Sequence, residues 1–436
     1  MKCYSSAVSP LIVLFLSSFA AAQAYSVASI GTASPRAIDS NGNVAGVFET
    51  SKKPRQTHAF YWTKKGGLQD LGTLGGNGDD SAAFGINASG QVVGQANSAP
   101  GAPDQAFLWS ASTGMVDLGN LGGPSSVANA INASGEAAGQ SDLSSGFTNG
   151  FFWTNGGGLQ SIGILQGGQQ SGANAINSSG EIAGWANVNS NDDAVVWTSE
   201  GGLVNLGITA KCGATAFGIN DSAEVVGWFN NSAGCTFTSH GFSWTESIGF
   251  KDLGVLPGAQ YSFAYSVNSS GQIVGTGNTS TPSTTALLWT SDGKLQDLNT
   301  LIPSKSARTL VSANAINYAG QIVADATAKN GKGSYAVLLT PIMNTSLGSS
   351  ENPSQAGQAV TFTATVQSIA GPPPSGEQVS FFSGATLLGS ASLAKGVASF
   401  TTSSLAVGTH KIVATYSGDA IYASSKSPIL AEVVTK

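Results

Sequence analysis

A chain of 436 residues is too long for one compact core and comfortable for two or three domains. Only 10% of the residues are charged and 57 are Gly, which rules against a disordered acidic chain and suggests many short strands joined by tight turns. The net charge of −6 argues against nucleic acid or anionic lipid as a partner.

The N-terminus reads as a signal peptide over residues 1–24. Lys2 gives a positive start, Leu11-Ile12-Val13-Leu14-Phe15-Leu16 begins a short apolar run, and Ala22-Gln23-Ala24 is a small-x-small cleavage pattern. A retained anchor is the alternative, but the apolar run is short for a membrane span. Cleavage after Ala24 removes Lys2 and leaves a net charge of −7 and no membrane span. Export also leaves Cys212 and Cys235 in an oxidising compartment, where an even count favours a disulfide.

From residue 25 to residue 341 one pattern recurs. Ala37-Ile38-Asp39-Ser40-Asn41-Gly42 returns as Gly85-Ile86-Asn87-Ala88-Ser89-Gly90 and Ala130-Ile131-Asn132-Ala133-Ser134-Gly135. It returns again around Asn177, Asn220, Asn268 and Asn317, with a period of 43 to 49 residues. Each copy is followed by a small apolar run such as Val92-Val93-Gly94, then by an aromatic strand such as Phe60-Tyr61-Trp62-Thr63 or Phe107-Leu108-Trp109-Ser110. A third landmark, Leu68-Gln69-Asp70-Leu71-Gly72 in one copy, is taken as the start of each unit; its degenerate first copy runs from Ser26 to Gly31. Asn and Gly tolerate the positive φ of a tight turn, so Asn-x-Ser-Gly marks a hairpin. Four strands in about 45 residues is the size of a propeller blade, and seven units are present. The expectation is an all-β chain: a seven-bladed β-propeller of four-stranded repeats, with an open β-solenoid as runner-up.

His58-Ala59-Phe60 and His240-Gly241-Phe242, followed by Trp-Thr and a Gly-Gly-Leu-x-Asp-Leu-Gly run, resemble the bacterial extracellular HAF repeat family. Several copies replace the His, with Gln105, Asn149, Asp193, Thr285 and Tyr335. The resemblance implies an extracellular repeat protein and carries no activity.

Residues 342–436 change rhythm. Ala359-Val360-Thr361-Phe362-Thr363-Ala364-Thr365-Val366 alternates as a half-buried strand does, and Gly371-Pro372-Pro373-Pro374-Ser375-Gly376 marks a turn. Some seven short strands predict an Ig-like β-sandwich. The run from Gly408 to Asp419 resembles bacterial Ig-like domains, which implies a spacer or adhesive module; it carries no cysteine.

Chemistry is sparse. His58 and His240 share one repeat position, as do Asp70, Asp117, Asp252 and Asp297, and recurrence around the repeats reads as scaffold. Asp79-Asp80 and Asp192-Asp193 are non-repeated pairs that could meet a cation, though exposed acidic loops are the plainer reading. No nucleophile elbow or phosphate loop is present, so no cofactor, metal site or catalytic residue is expected.

Loops around 76–83, 95–105 and 140–149 are long and variable and should emerge on one face, where binding specificity is normally placed. Cys212 and Cys235 fall in two such loops of one unit and are expected to bridge. Trp185 and Trp228 occupy a repeat position that elsewhere holds Val47, Gln95, Gln140, Thr276 or Asp325; paired indoles there could stack on a sugar, the alternative being packing between units. The sequence thus predicts a secreted, non-catalytic binding protein recognising carbohydrate or a cell-surface protein. A secreted hydrolase or lyase on polysaccharide, and a purely structural surface protein, are the rivals.

Overall fold

The computed structural model describes residues 23–436 apart from 53–54, 77–79, 189–190, 231, 233, 236–237 and 281–282. The expected signal peptide lies almost wholly outside these residues.

Seven four-stranded antiparallel sheets make up the repeat region, and the Asn turn explains why each begins where it does. In the fourth sheet, Ser171–Ile176 turns through Asn177 into Ile182–Val188, which pairs with Asn191–Thr198, and that strand pairs in turn with Gly202–Asn205. Asn177 Oδ1 accepts the N–H groups of Ser179 and Glu181, holding the hairpin closed, while Gly180 takes φ of 80°. A positive φ at that corner suits Gly because it has no Cβ to clash.

The expected start of each unit is corrected. The Leu-x-Asp-Leu-Gly segment is the last strand of its sheet: Gly67–Asp70 pairs with Arg55–Thr63, so each sheet opens on the Ala-Ile-Asn strand. A periodic sequence has no origin, so the period alone could not settle the phase. The N-terminal Tyr25–Gly31 pairs with Ser334–Pro341 and completes the seventh sheet.

The β-propeller expectation is also corrected, to seven separate four-stranded sheets. Each is an open meander with two edge strands, and none is closed or curled. The expectation took closure from unit length, but unit length fixes only how many strands a unit can make.

The cores lie between consecutive sheets. Ala45 and Ala59 of the first sheet pack with Ala83, Val92 and Phe107 of the second. Val274 and Leu288 of the sixth pack with Leu310 and Ile322 of the seventh, and Val323 and Leu338 of the seventh pack with Val44 and Phe60 of the first. Hydrogen bonds follow the same order. Nδ2 of Asn87, Asn132, Asn177, Asn220 and Asn268 each donates to the backbone oxygen of the corresponding Asn in the next unit, at 3.0–3.2 Å. Asn317 Nδ2 donates to Asp39 O at 3.0 Å, linking the last unit to the first.

The C-terminal domain has a three-stranded sheet of Asn344–Ser349, Val360–Gln367 and Val397–Thr402 facing a larger sheet built around Gly408–Tyr416. Strict alternation buries Val360, Phe362, Ala364 and Val366 against Phe381, Ile412 and Ala414. It meets the repeats where Gln272 Nε2 donates to Ile369 O at 3.3 Å and Tyr318 meets Tyr422 edge-on at 6.4 Å.

Candidate functional site

The first strand of every repeat sheet carries a bulge at the same place. The register slips between Ala83 and Gly85, between Ala173 and Ala175, and likewise in the other five sheets. A bulge adds one residue opposite the partner strand and re-aims its side chain. In six of the sheets the facing strand places a Gly opposite the bulge. A β-carbon at Gly184 would fall 2.0 Å from Gly172 O, and one at Gly94 would fall 1.9 Å from Ala82 O, so the strands can approach this closely only where no Cβ intervenes. The Gly of these six runs permits the close approach; the seventh sheet bulges with Ala324 in its place, so the bulge itself does not require Gly.

The bulged residues of the first four sheets are Arg36, Phe84, Asn129 and Asn174. Those of the other three are Phe217, Tyr265 and Asn314. All seven, one from each unit, line a single cavity of about 480 Å³, joined by Ser312 and Asp325. Sequence reasoning missed this site. Its signal was present: the variable residue inside the most regular motif, between a small residue and Ala-Ile-Asn or its equivalent.

The cavity wall is mixed. Asn129 Nδ2 donates to Ala173 O and Asn174 Nδ2 to Ala216 O, which ties neighbouring first strands and leaves each amide oxygen without a donor among the described residues. Asp325 accepts Ser34 Oγ at 2.7 Å and Asn314 Nδ2 at 2.9 Å. Phe217 meets Tyr265 edge-on at 5.7 Å. Burial pushes the Tyr265 hydroxyl up to about 12, with Tyr261 and Asp325 adding to the rise and Arg36 opposing it.

The structure separates the two tryptophans singled out above. Trp228 meets Phe263 edge-on at 6.0 Å, and Phe263 stacks on Tyr265 at 6.4 Å, so an aromatic run leads from Trp228 to the cavity. Trp185 lies across from Gly172, where a β-carbon would fall 2.3 Å from its Nε1. No ring contact joins it to Trp228 among the described residues. Both indoles are half-buried.

Cys212 and Cys235 form a disulfide with Cα atoms 5.4 Å apart. It pins the segment entering the fifth sheet to the loop between that sheet's second and third strands. The repeat histidines each clasp a neighbouring strand: His58 Nδ1 lies 2.9 Å from Asp70 and His240 Nδ1 3.0 Å from Asp252. Asp79 lies outside the described residues, while Asp80 accepts Thr57 N and Oγ1. Burial first, then Asp193, raises the Asp192 carboxyl above its ordinary range. Among the described residues, no group of three or more His, Cys, Asp or Glu could hold a metal ion.

Residues 347–435 match the bacterial Ig-like domain family (group 3). The C-terminal domain is thus Ig-like, as its alternation predicts. The match does not reach the repeats, whose likeness to HAF repeats stays a resemblance. No curated protein matches the chain. Among solved structures, the chain is similar to TolB from Acinetobacter baumannii (14% identity, TM-score 0.37, 50% of this chain and 52% of that one). It is also similar to the extracellular domain of a protein described as a hybrid two-component system from B. thetaiotaomicron (8% identity, TM-score 0.37, 95% of this chain and 57% of that one). A related extracellular domain from B. thetaiotaomicron, described as a one-component system, gives 10% identity and TM-score 0.32 over 95% of this chain and 56% of that one. The chain spans little more than half the length of each, and likenesses this remote carry no functional argument.

Proposed function

We propose that this is an exported, non-catalytic binding protein whose seven-residue cavity and the loops around it recognise carbohydrate, with the Ig-like domain as spacer or adhesive module. The observation that carries this reading is the convergence of one variable side chain from each unit on one cavity. Aromatic faces at Phe84, Phe217 and Tyr265 beside free amide oxygens at Asn129 and Asn174 suit the apolar faces and hydroxyls of a sugar. Export rests on the signal-peptide pattern of residues 1–24, on the disulfide, and on the resemblance of residues 25–341 to extracellular HAF repeats. A cell-surface protein is the second partner class, reached through the same loop face; no membrane span and no cofactor enter the reading.

One observation favours the rival lyase or hydrolase: Arg36, Tyr265 and Asp325 share the cavity. It is outweighed. The Tyr265 hydroxyl stays protonated at neutral pH, and the Asp325 carboxylate already accepts two hydrogen bonds from the wall.

The test is a glycan array probed with residues 25–436 beside the Trp185→Ala/Trp228→Ala variant. Binding by the parent that weakens in the variant supports the reading and assigns the indoles to it. Equal binding removes the tryptophans from the site, and no binding by the parent removes carbohydrate.

A further inference from the structure

The cavity holds one positive charge that a neutral sugar would leave unmatched. Arg36 projects from the first bulge, is exposed, and makes no ion pair among the described residues. This stands out in a chain whose Asp and Glu outnumber its Lys and Arg by 24 to 18. The carboxylate that lines the same cavity, Asp325, makes no ion pair with Arg36 and accepts Ser34 Oγ and Asn314 Nδ2 instead, one on each oxygen. A guanidinium carries five donors in a planar fork that matches a carboxylate in bidentate fashion. Left without a protein partner in a recess of this kind, it offers that fork to whatever enters.

Resting on the carbohydrate reading above, we infer that the ligand is an acidic saccharide whose carboxylate pairs with Arg36. The remaining wall supplies complementary contacts. Asn129 and Asn174 Oδ1 accept ring hydroxyls, the Tyr265 hydroxyl donates, and Phe84 and Phe217 offer faces to the C–H surface of the ring. The volume of about 480 Å³ suits one or two sugar residues and lies within the range of roughly 300–1,000 Å³ usual for small-ligand sites. A uronic acid is the simplest sugar that carries all three features: a carboxylate, hydroxyls and an apolar ring face.

Galacturonic-acid oligosaccharides and their methyl esters have the same skeleton and differ in charge, so titrating both isolates the role of the carboxylate. The parent protein should bind the acid at least about tenfold more tightly than the ester, with the difference shrinking as salt is raised. Arg36→Gln, at an exposed position whose folding is checked by circular dichroism, should bind acid and ester alike, and Arg36→Lys should keep part of the preference. Equal binding of acid and ester by the parent, or a preference that survives Arg36→Gln, overturns the inference. Binding of neutral glycans alone would also overturn it while leaving the carbohydrate reading intact; binding of no glycan of either kind sinks both.

Discussion

Replacing Asn177 by Ala tests the interaction that both shapes each hairpin and joins it to the next unit. Asn177 is 3% exposed, and its side chain makes four hydrogen bonds. Its Oδ1 accepts Ser179 N and Glu181 N, and its Nδ2 donates to Glu181 Oε2 at 2.6 Å and to Asn220 O at 3.2 Å. Ser179 is exposed, so water can replace that bond, and Asn220 O keeps a second donor in Ala223 N. Counting about 1 to 1.5 kcal/mol for each of the bonds at Glu181 N and across units, and about 0.5 kcal/mol for each of the others, the loss is about 3 to 4 kcal/mol. All eight tryptophans lie between residues 62 and 289, so tryptophan fluorescence during urea unfolding reports on the repeats alone. With a slope of about 3 kcal/mol per molar, the midpoint should fall by about 1 M. The first unit supplies a control, since it has the reverse pair: Asp39 with Asn43 donating to it. Asn177→Asp should destabilise as much as Ala, because its carboxylate would face Glu181, whereas Asn177→Asp/Glu181→Asn should recover all but about 1 kcal/mol. A shift below about 0.5 kcal/mol for Asn177→Ala, or a double variant no better than Asn177→Asp, would refute the reasoning.

Three further outcomes follow. Burial raises the Asp39 carboxyl in the folded state, so its contribution to stability is full below the unfolded carboxylate range and is lost as pH rises through the folded value; Asp39→Asn/Asn43→Gln, which restores the pattern of the other units, should flatten that part of the stability–pH profile measured by urea unfolding. Cys212→Ser/Cys235→Ser opens a loop whose ends are 23 residues apart and should cost about 3 kcal/mol on chain-entropy grounds, again read by urea unfolding. Gly184→Ala places a methyl 2.0 Å from a backbone oxygen and should destabilise by about 2 kcal/mol or more, whereas Gly207→Ala meets no neighbouring atom and should suffer only from its φ of 69°; equal midpoints would deny the close approach at the bulge.

Much of the fold was legible because it rests on local chemistry that repeats. The Asn-x-Ser-Gly turn, the alternation of Val360 to Val366, and the two exported cysteines each say what they do within a few residues. What was not legible depends on geometry between units. The Leu68 to Gly72 segment could open a unit or close one, and only pairing with Arg55–Thr63 decides. The β-propeller expectation extended unit size into a statement about closure that unit size does not contain. The bulged residues stand three positions before the repeated Asn or Asp and vary from unit to unit, so the repeat itself does not mark them. Trp228 and Trp185 share a repeat position that is otherwise not aromatic, yet only Trp228 leads to the cavity, through Phe263 and Tyr265, while the Trp185 ring sits over Gly172.

The most direct check on the cavity as the binding site is a side-by-side glycan array of the parent and of Phe84→Ala/Phe217→Ala/Tyr265→Ala, with both shown by circular dichroism to be folded. A set of glycans held by the parent and lost by the triple variant is the predicted result. Undiminished binding by the triple variant would contradict it.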